Sequence, residues 1–188
     1  MSQFDSSSPP TGAAMRQRRV QCSGPHGLHR MAYAEWGDPR NPRVLICVHG
    51  LTRQGRDFDF LAQALAGEYR VVCPDVVGRG RSDWHPVKDD YQLPLYVADM
   101  VTLIARLDVE QVHWVGTSMG GLIGMALSSL PNTPVARLVL NDVGPVVTVE
   151  SVQRLQTYVG KAPPFANIAE AEAYIRACLL YTSDAADE

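Results

Sequence analysis

Residues 115–121 read VGTSMGG. Ser118 stands between Gly116 and Gly120, after the apolar run VHWVG (112–116) and at the start of the helical pattern SMGGLIGMALSSL (118–130). A strand, a serine and a helix in that order are what a nucleophile elbow requires, because the sharp turn lifts the hydroxyl above the sheet edge. The small flanking residues permit the turn. The first N–H groups of the helix have no partner within it, and with the helix dipole they can stabilise a developing oxyanion. A serine that only caps a helix needs no glycine on either side, so the elbow is the preferred reading.

Outward from the elbow, short apolar runs alternate with helical patterns. VLICVHG (44–50), YRVVCPD (69–75), VHWVG and VARLVLND (135–142) read as strands. Continuous apolar runs of this length suit strands of a parallel sheet buried on both faces. FDFLAQALAGE (58–68), LPLYVADMVTLIARLDV (93–109) and the post-serine segment carry apolar residues at helical spacing. Pro94 is tolerable in a first turn. Residues 18–36 read as a hairpin around Gly-Pro-His-Gly, and SVQRLQTYVG (151–160) and IAEAEAYIRA (168–177) as two further helices. The order predicts an α/β fold with a mainly parallel sheet. Right-handed crossovers bring the loops after Gly50, after Asp75 and at Ser118 to one sheet edge, where ligands bind.

The 188 residues suffice for one sizeable domain. The composition, 46% hydrophobic and 20% charged, is that of an ordinary globular chain. A net charge of −3 gives no electrostatic reason to expect nucleic acid or an anionic membrane as partner. No apolar run is long enough to span a membrane. Residues 1–17 are rich in Ser, Pro and Gly, lack the apolar core of a secretory signal, and are expected to be a disordered tail. Cys22, Cys47, Cys73 and Cys178 are scattered, without zinc-like spacing. Free thiols and a cytoplasmic location are expected, with no metal and no cofactor.

HGLT (49–52) is a second, independent signal. A glycine at the end of a strand lets the next N–H face the elbow, so Leu51 N–H and Met119 N–H form the expected pair of oxyanion donors. His49, beside that turn, is better placed to brace the loop than to act as the base. His113 reads as a structural residue inside a strand, and His26, His29 and His85 as bland residues of the hairpin and of a surface loop. Arg53 could meet a substrate carboxylate, although a solvated loop charge is the simpler reading.

Together HGLT, PDVVGRGRSD (74–83) and VGTSMGG, in that order, resemble the α/β-hydrolase superfamily from about residue 18 to 177. The resemblance implies a three-layer fold and a Ser–acid–His mechanism, with Ser118 as nucleophile and Leu51 and Met119 as oxyanion donors. NDVGPVV (141–147) is similar to the exit into that superfamily's lid. The expected organisation is therefore a core over 18–148 and the beginning of a helical lid over 149–177. Relatives place the histidine, and usually the acid, after the lid, where nothing in this sequence matches. Asp142 is a candidate acid, since some relatives carry theirs at the end of this strand; its alternative is a loop-capping aspartate. Residues 178–188, CLLYTSDAADE, resemble a translated sequencing adapter. The expectation is a chain truncated at the start of its lid, with that segment as an artefactual tail breaking the helix.

The resemblance implies a small-molecule substrate. Carboxylic esters or lactones are the leading choice, cleaved through an acyl-enzyme. A carbon–carbon bond hydrolase of ring-cleavage diketones is the alternative within enzymes, and a non-catalytic homologue the alternative outside them. A serine at the elbow argues against dehalogenases and epoxide hydrolases, whose relatives use aspartate. Oligomeric state is not specified by any of these features.

Overall fold

The computed structural model describes residues 14–183. It divides into two units, Met1–Pro145 and Val146–Glu188.

The first unit is built on a six-stranded sheet. Its strands are β1 (Arg16–Gly24), β2 (Gly27–Trp36), β3 (Val44–Val48), β4 (Arg70–Pro74), β5 (Val112–Thr117) and β6 (Val135–Asn141), in the spatial order β1-β2-β4-β3-β5-β6. The hairpin β1–β2 pairs antiparallel, as does β2 with β4. The four strands from β4 to β6 run parallel. The helices are α1 (Asp59–Leu65), reached through a short 3-10 turn at Gly55–Phe58, α2 (Leu93–Leu107) and α3 (Met119–Ser128).

The alternation of side chains along β3 explains why its whole sequence is apolar. Val44, Ile46 and Val48 point into a core shared with Met100, Leu103, Trp114 and Ile123 from α2, β5 and α3. Leu45 and Cys47 point the other way, into a second core with Phe58, Ala62 and Ala66 around α1. Helices therefore cover both faces of the sheet, giving three layers. At the edge, β6 follows a different rule. It pairs only with β5 among the described residues, and its burial is partial, with Val139 55% exposed.

The second unit holds α4 (Val149–Tyr158) and α5 (Ile168–Ser183). Thr148 caps α4 by accepting a hydrogen bond from Ser151 N–H at 3.2 Å. At the start of α5, Asn167 Oδ1 accepts from Glu170 N–H at 3.0 Å while Glu170 Oε2 accepts from Ala166 N–H at 2.9 Å. This reciprocal arrangement is of the capping-box kind.

Two expectations are corrected. Arg16 and Gln17 belong to β1 rather than to a tail, because both pair across the hairpin with Glu35 and Ala34; residues 1–13 of the expected tail lie outside the described residues. The helical pattern does not break at Cys178. Helix α5 continues to Ser183, through a stretch with neither glycine nor proline to stop it. Residues 184–188 of the segment read as an artefactual tail lie outside the described residues.

Candidate active site

The parallel register sets the site. Val48 of β3 is paired with Gly116 of β5, so the turn that follows β3 lies beside the turn that follows β5. A Cβ added to Gly50 would stand 3.6 Å from Ser118 Cβ. The two motifs, 66 residues apart between Gly50 and Gly116, are thus neighbours at the carboxyl edge of the sheet.

Ser118 carries the backbone conformation of a sharp turn, with φ 49° and ψ −114°. Few non-glycine residues hold a positive φ without support from their surroundings. Here Ser118 N–H donates to Asn141 O of β6 at 2.9 Å, and Ser118 O accepts from Gly121 N–H at 2.9 Å and Leu122 N–H at 3.1 Å. The flanking glycines are demanded by crowding: a Cβ at Gly116 would fall on the Gly120 carbonyl, and one at Gly120 on the Val48 carbonyl oxygen. Trp114, fully buried beneath, donates from Nε1 to Gly120 O at 3.0 Å. The serine is half-buried, and its hydroxyl makes no hydrogen bond among the described residues.

The backbone around Gly50 is held as firmly. His49, 1% exposed, donates from Nδ1–H to Gly50 O at 2.7 Å and accepts at Nε2 from Val76 N–H at 3.0 Å. An amide can only donate, so Nε2 must be the acceptor and the proton sits on Nδ1. Burial pushes the His49 pKa down, which keeps that neutral tautomer. Both ring nitrogens are occupied. The carbonyl so held belongs to the Gly50–Leu51 peptide, whose other end is Leu51 N–H. Fixing one end of a planar peptide aims the other. Neither Leu51 N–H nor Met119 N–H donates a hydrogen bond within the described structure.

The PDVVGRGRSD loop is a brace. Asp75 accepts from Gly55 N–H and Arg81 N–H, both at 2.8 Å, and Ser82 Oγ donates to Asp75 O while accepting from Ala32 N–H. Sequence reading missed Arg79 in this loop. Its Nε donates to Leu51 O at 3.0 Å, and Nη1 to Val77 O at 2.8 Å and Tyr96 Oη at 3.0 Å. Nη2 has only the Met119 sulfur, at 3.8 Å. The guanidinium thus bridges the two turns of the site, over the rings of Tyr91 and Tyr96, with no carboxylate paired to it among the described residues. A charge placed between two glycines of a site loop was the available signal.

Arg53 is turned to Asp57, donating from Nε at 2.6 Å and Nη2 at 3.1 Å, a loop ion pair of the surface. Asp142 is exposed, in left-handed conformation at φ 55°. His113 lies tilted against Tyr69 at 5.6 Å and His26 pairs with Asp90 at 2.8 Å. His29, read as bland, is buried, and His85, read the same way, is half-buried with its side chain only 4% exposed. No histidine of the five hydrogen-bonds Ser118.

An α/β core with a strained, glycine-flanked serine between a parallel strand and a helix defines a class, that of hydrolases built on this sheet. Comparison with known proteins narrows it. Residues 43–167 match the family model of the alpha/beta hydrolase fold. A 3-hydroxybutyrate-oligomer hydrolase of Cupriavidus necator is 60% identical over 164 residues, covering 87% of this chain and 56% of that protein. The crystal structure of an alpha/beta hydrolase from Novosphingobium aromaticivorans superposes with a TM-score of 0.70 at 40% identity, over 80% of this chain and 52% of that one. A putative hydrolase from Rickettsia typhi gives 0.80 at 29% identity, over 87% and 60%. The chain belongs to the α/β-hydrolase family. It spans little more than half the length of these relatives.

Proposed function

We propose that this chain carries the nucleophile and the oxyanion donors of a serine esterase that cleaves short oligoesters of 3-hydroxy acids. The observation that carries the proposal is Ser118 at φ 49°, between the Gly50 turn and the start of α3, with two uncommitted N–H groups beside it. The similarity to the 3-hydroxybutyrate-oligomer hydrolase supports the substrate class.

In the proposed reaction a base takes the Ser118 hydroxyl proton and Oγ attacks the ester carbonyl carbon. Leu51 N–H and Met119 N–H hold the oxyanion, at about 3 to 4 kcal/mol for a donor of this kind. The alcohol end of the oligomer leaves with the proton, and water then releases the acyl group from Oγ. None of the five histidines hydrogen-bonds Ser118, so the base is assigned to the part of the fold that the longer relatives contain beyond the match. Asp142 remains a candidate acid on the same terms. A 3-hydroxy acid oligomer also ends in a free carboxylate, and Arg79 is the cation placed to receive it. No feature of this chain favours cleavage of carbon–carbon bonds, and a non-catalytic homologue has no need of a strained serine. Cys22, Cys47 and Cys73 are free thiols, buried in the sheet, which supports a reducing, cytoplasmic setting. Among the described residues no helix is long and apolar enough to cross a membrane.

The test uses this chain extended by the remaining segment of the Cupriavidus relative. That protein is expected to hydrolyse 3-hydroxybutyrate dimers and trimers and to label with a fluorophosphonate. Ser118→Ala is expected to lower turnover by about 10⁴-fold or more and abolish labelling, with an unchanged melt. Labelling retained in Ser118→Ala would remove the serine from its role.

A further inference from the structure

A second polar cluster lies away from the elbow, under α2. Cys22 of β1, His29 of β2 and Asp99 of α2 are all buried, and one ligand atom from each falls within 4.8 Å of the others. His29 Nε2 stands 2.9 Å from Asp99 Oδ2. His85 adds its ring edge-on, 4.7 Å from that of His29 between centroids. We propose that Cys22, His29 and Asp99 form a binding site for one divalent ion of the zinc type, with His85 as the supporting residue beside it.

Three observations carry this. The first is unmet hydrogen-bonding capacity. Buried polar groups are almost always paired, yet among the described residues His29 Nδ1, His85 Nε2 and Asp99 Oδ1 have no hydrogen-bond partner. These are three of the eight such side-chain atoms found among the described residues. Asp99 is fully buried, and His29 is 5% exposed.

The second is charge. Glu35, the other deeply buried carboxylate of the hairpin region, has two guanidinium partners, Arg16 at 2.9 Å and Arg70 at 3.2 Å. Asp75 has two backbone N–H donors. Asp99 has neither, only an imidazole and a thiol. A divalent cation bound by a thiolate and a carboxylate leaves a site of zero net charge, the arrangement a low-dielectric core tolerates.

The third is ligand chemistry. Thiolate, imidazole and carboxylate together are a zinc donor set, and three protein ligands leave the fourth tetrahedral position to water. A histidine that binds metal through one nitrogen donates its other N–H to a neighbour. His29 faces Asp99 through Nε2, and its other ring nitrogen, Nδ1, has no hydrogen-bond partner among the described residues. On binding, the ion takes the place of the Cys22 thiol proton and of any proton shared by His29 and Asp99, and these leave to solvent.

The test needs no substrate and no catalytic activity. The 188-residue chain, purified without chelator, is analysed for bound metal and, after stripping, titrated with Co²⁺. About one zinc per chain is expected. Co²⁺ is expected to give a near-ultraviolet thiolate charge-transfer band that disappears in Cys22→Ser, whereas Cys47→Ser leaves it in place. Zinc at a hundredfold excess over its Kd is expected to raise the Tm by about 5 to 10 °C, and not to do so in Cys22→Ser. Absence of stoichiometric metal together with absence of the cobalt band would overturn the site. So would a band of equal strength in Cys22→Ser.

Discussion

The elbow and the cluster under α2 are both polar assemblies inside one sheet domain, and they are made by opposite means. At the elbow, chemistry is prepared by backbone. His49, Asp75 and Ser82 direct their side chains to peptide groups, and two N–H donors and one hydroxyl are left without partners among the described residues. Under α2, side chains meet side chains, and the unpaired atoms face inward. The first arrangement can tolerate unmet capacity because it is half-exposed and a substrate can meet it. The second has no such access, which is why its orphaned atoms call for an occupant.

The largest effect after that of Ser118→Ala is expected at His49, whose ring holds the Gly50 carbonyl. In the extended esterase, His49→Ala should lower kcat by about 10²- to 10³-fold, the cost of losing an oxyanion donor, with little change in KM. A loss confined to KM would mean that the Gly50–Leu51 peptide is not held by this ring. Gly120→Ala comes next. Its Cβ would meet the Val48 carbonyl, so a cost of about 1 to 3 kcal/mol is expected for overpacking, read as a lower urea midpoint; an unshifted midpoint would show that the turn yields. Arg79→Ala should raise KM about tenfold for oligomers with a free carboxylate, in keeping with about 1.5 kcal/mol for a hydrogen bond to a charged group. Uncharged p-nitrophenyl esters should be affected far less, and equal effects on both would refute a carboxylate anchor.

The smallest effect concerns pH. Burial holds the folded pKa of His49 below its ordinary value of 6.5. Above pH 6.5 the ring is neutral in both states and its contribution is complete. As pH falls below 6.5 the unfolded chain gains a proton the folded one resists, and stability is lost toward the lowered value. Tm should therefore decline on acidification from pH 7, and His49→Gln should flatten part of that decline. His113, lowered in the same direction chiefly by burial, contributes in the same sense.

Legibility from sequence followed the same division. The elbow lies in seven consecutive residues, and the strand and helix on either side have their own periodicities, so local rules find all of it. The order of strands and helices was legible for the same reason. The cluster was not. Cys22, His29 and Asp99 are separated by 7 and then 70 positions, and only the packing of α2 on the hairpin makes them neighbours. Asp99 itself was hidden in an amphipathic pattern that treats every charge as solvated. His85 was misplaced by the same rule, since the loop that carries it looks polar but folds its ring inward to 4% exposure. Arg79 fell between the two cases: its motif was recognised, but its bonds to Leu51 and Tyr96 depend on two segments far from it in sequence.

The φ of 49° at Ser118 has a consequence in time as well as in space. A serine left to its local preferences leaves that conformation, at a cost of order 1 to 3 kcal/mol to hold it. What holds it comes from three separate strands: the Val48 carbonyl beside Gly120, Trp114 beneath the helix start, and Asn141 O on the serine's own amide. Asn141 closes the last of these strands in chain order. Until β6 has docked, the turn lacks one of its restraints and the hydroxyl its fixed position. The conformation of Ser118 thus depends in part on the last strand of the sheet to be added in chain order.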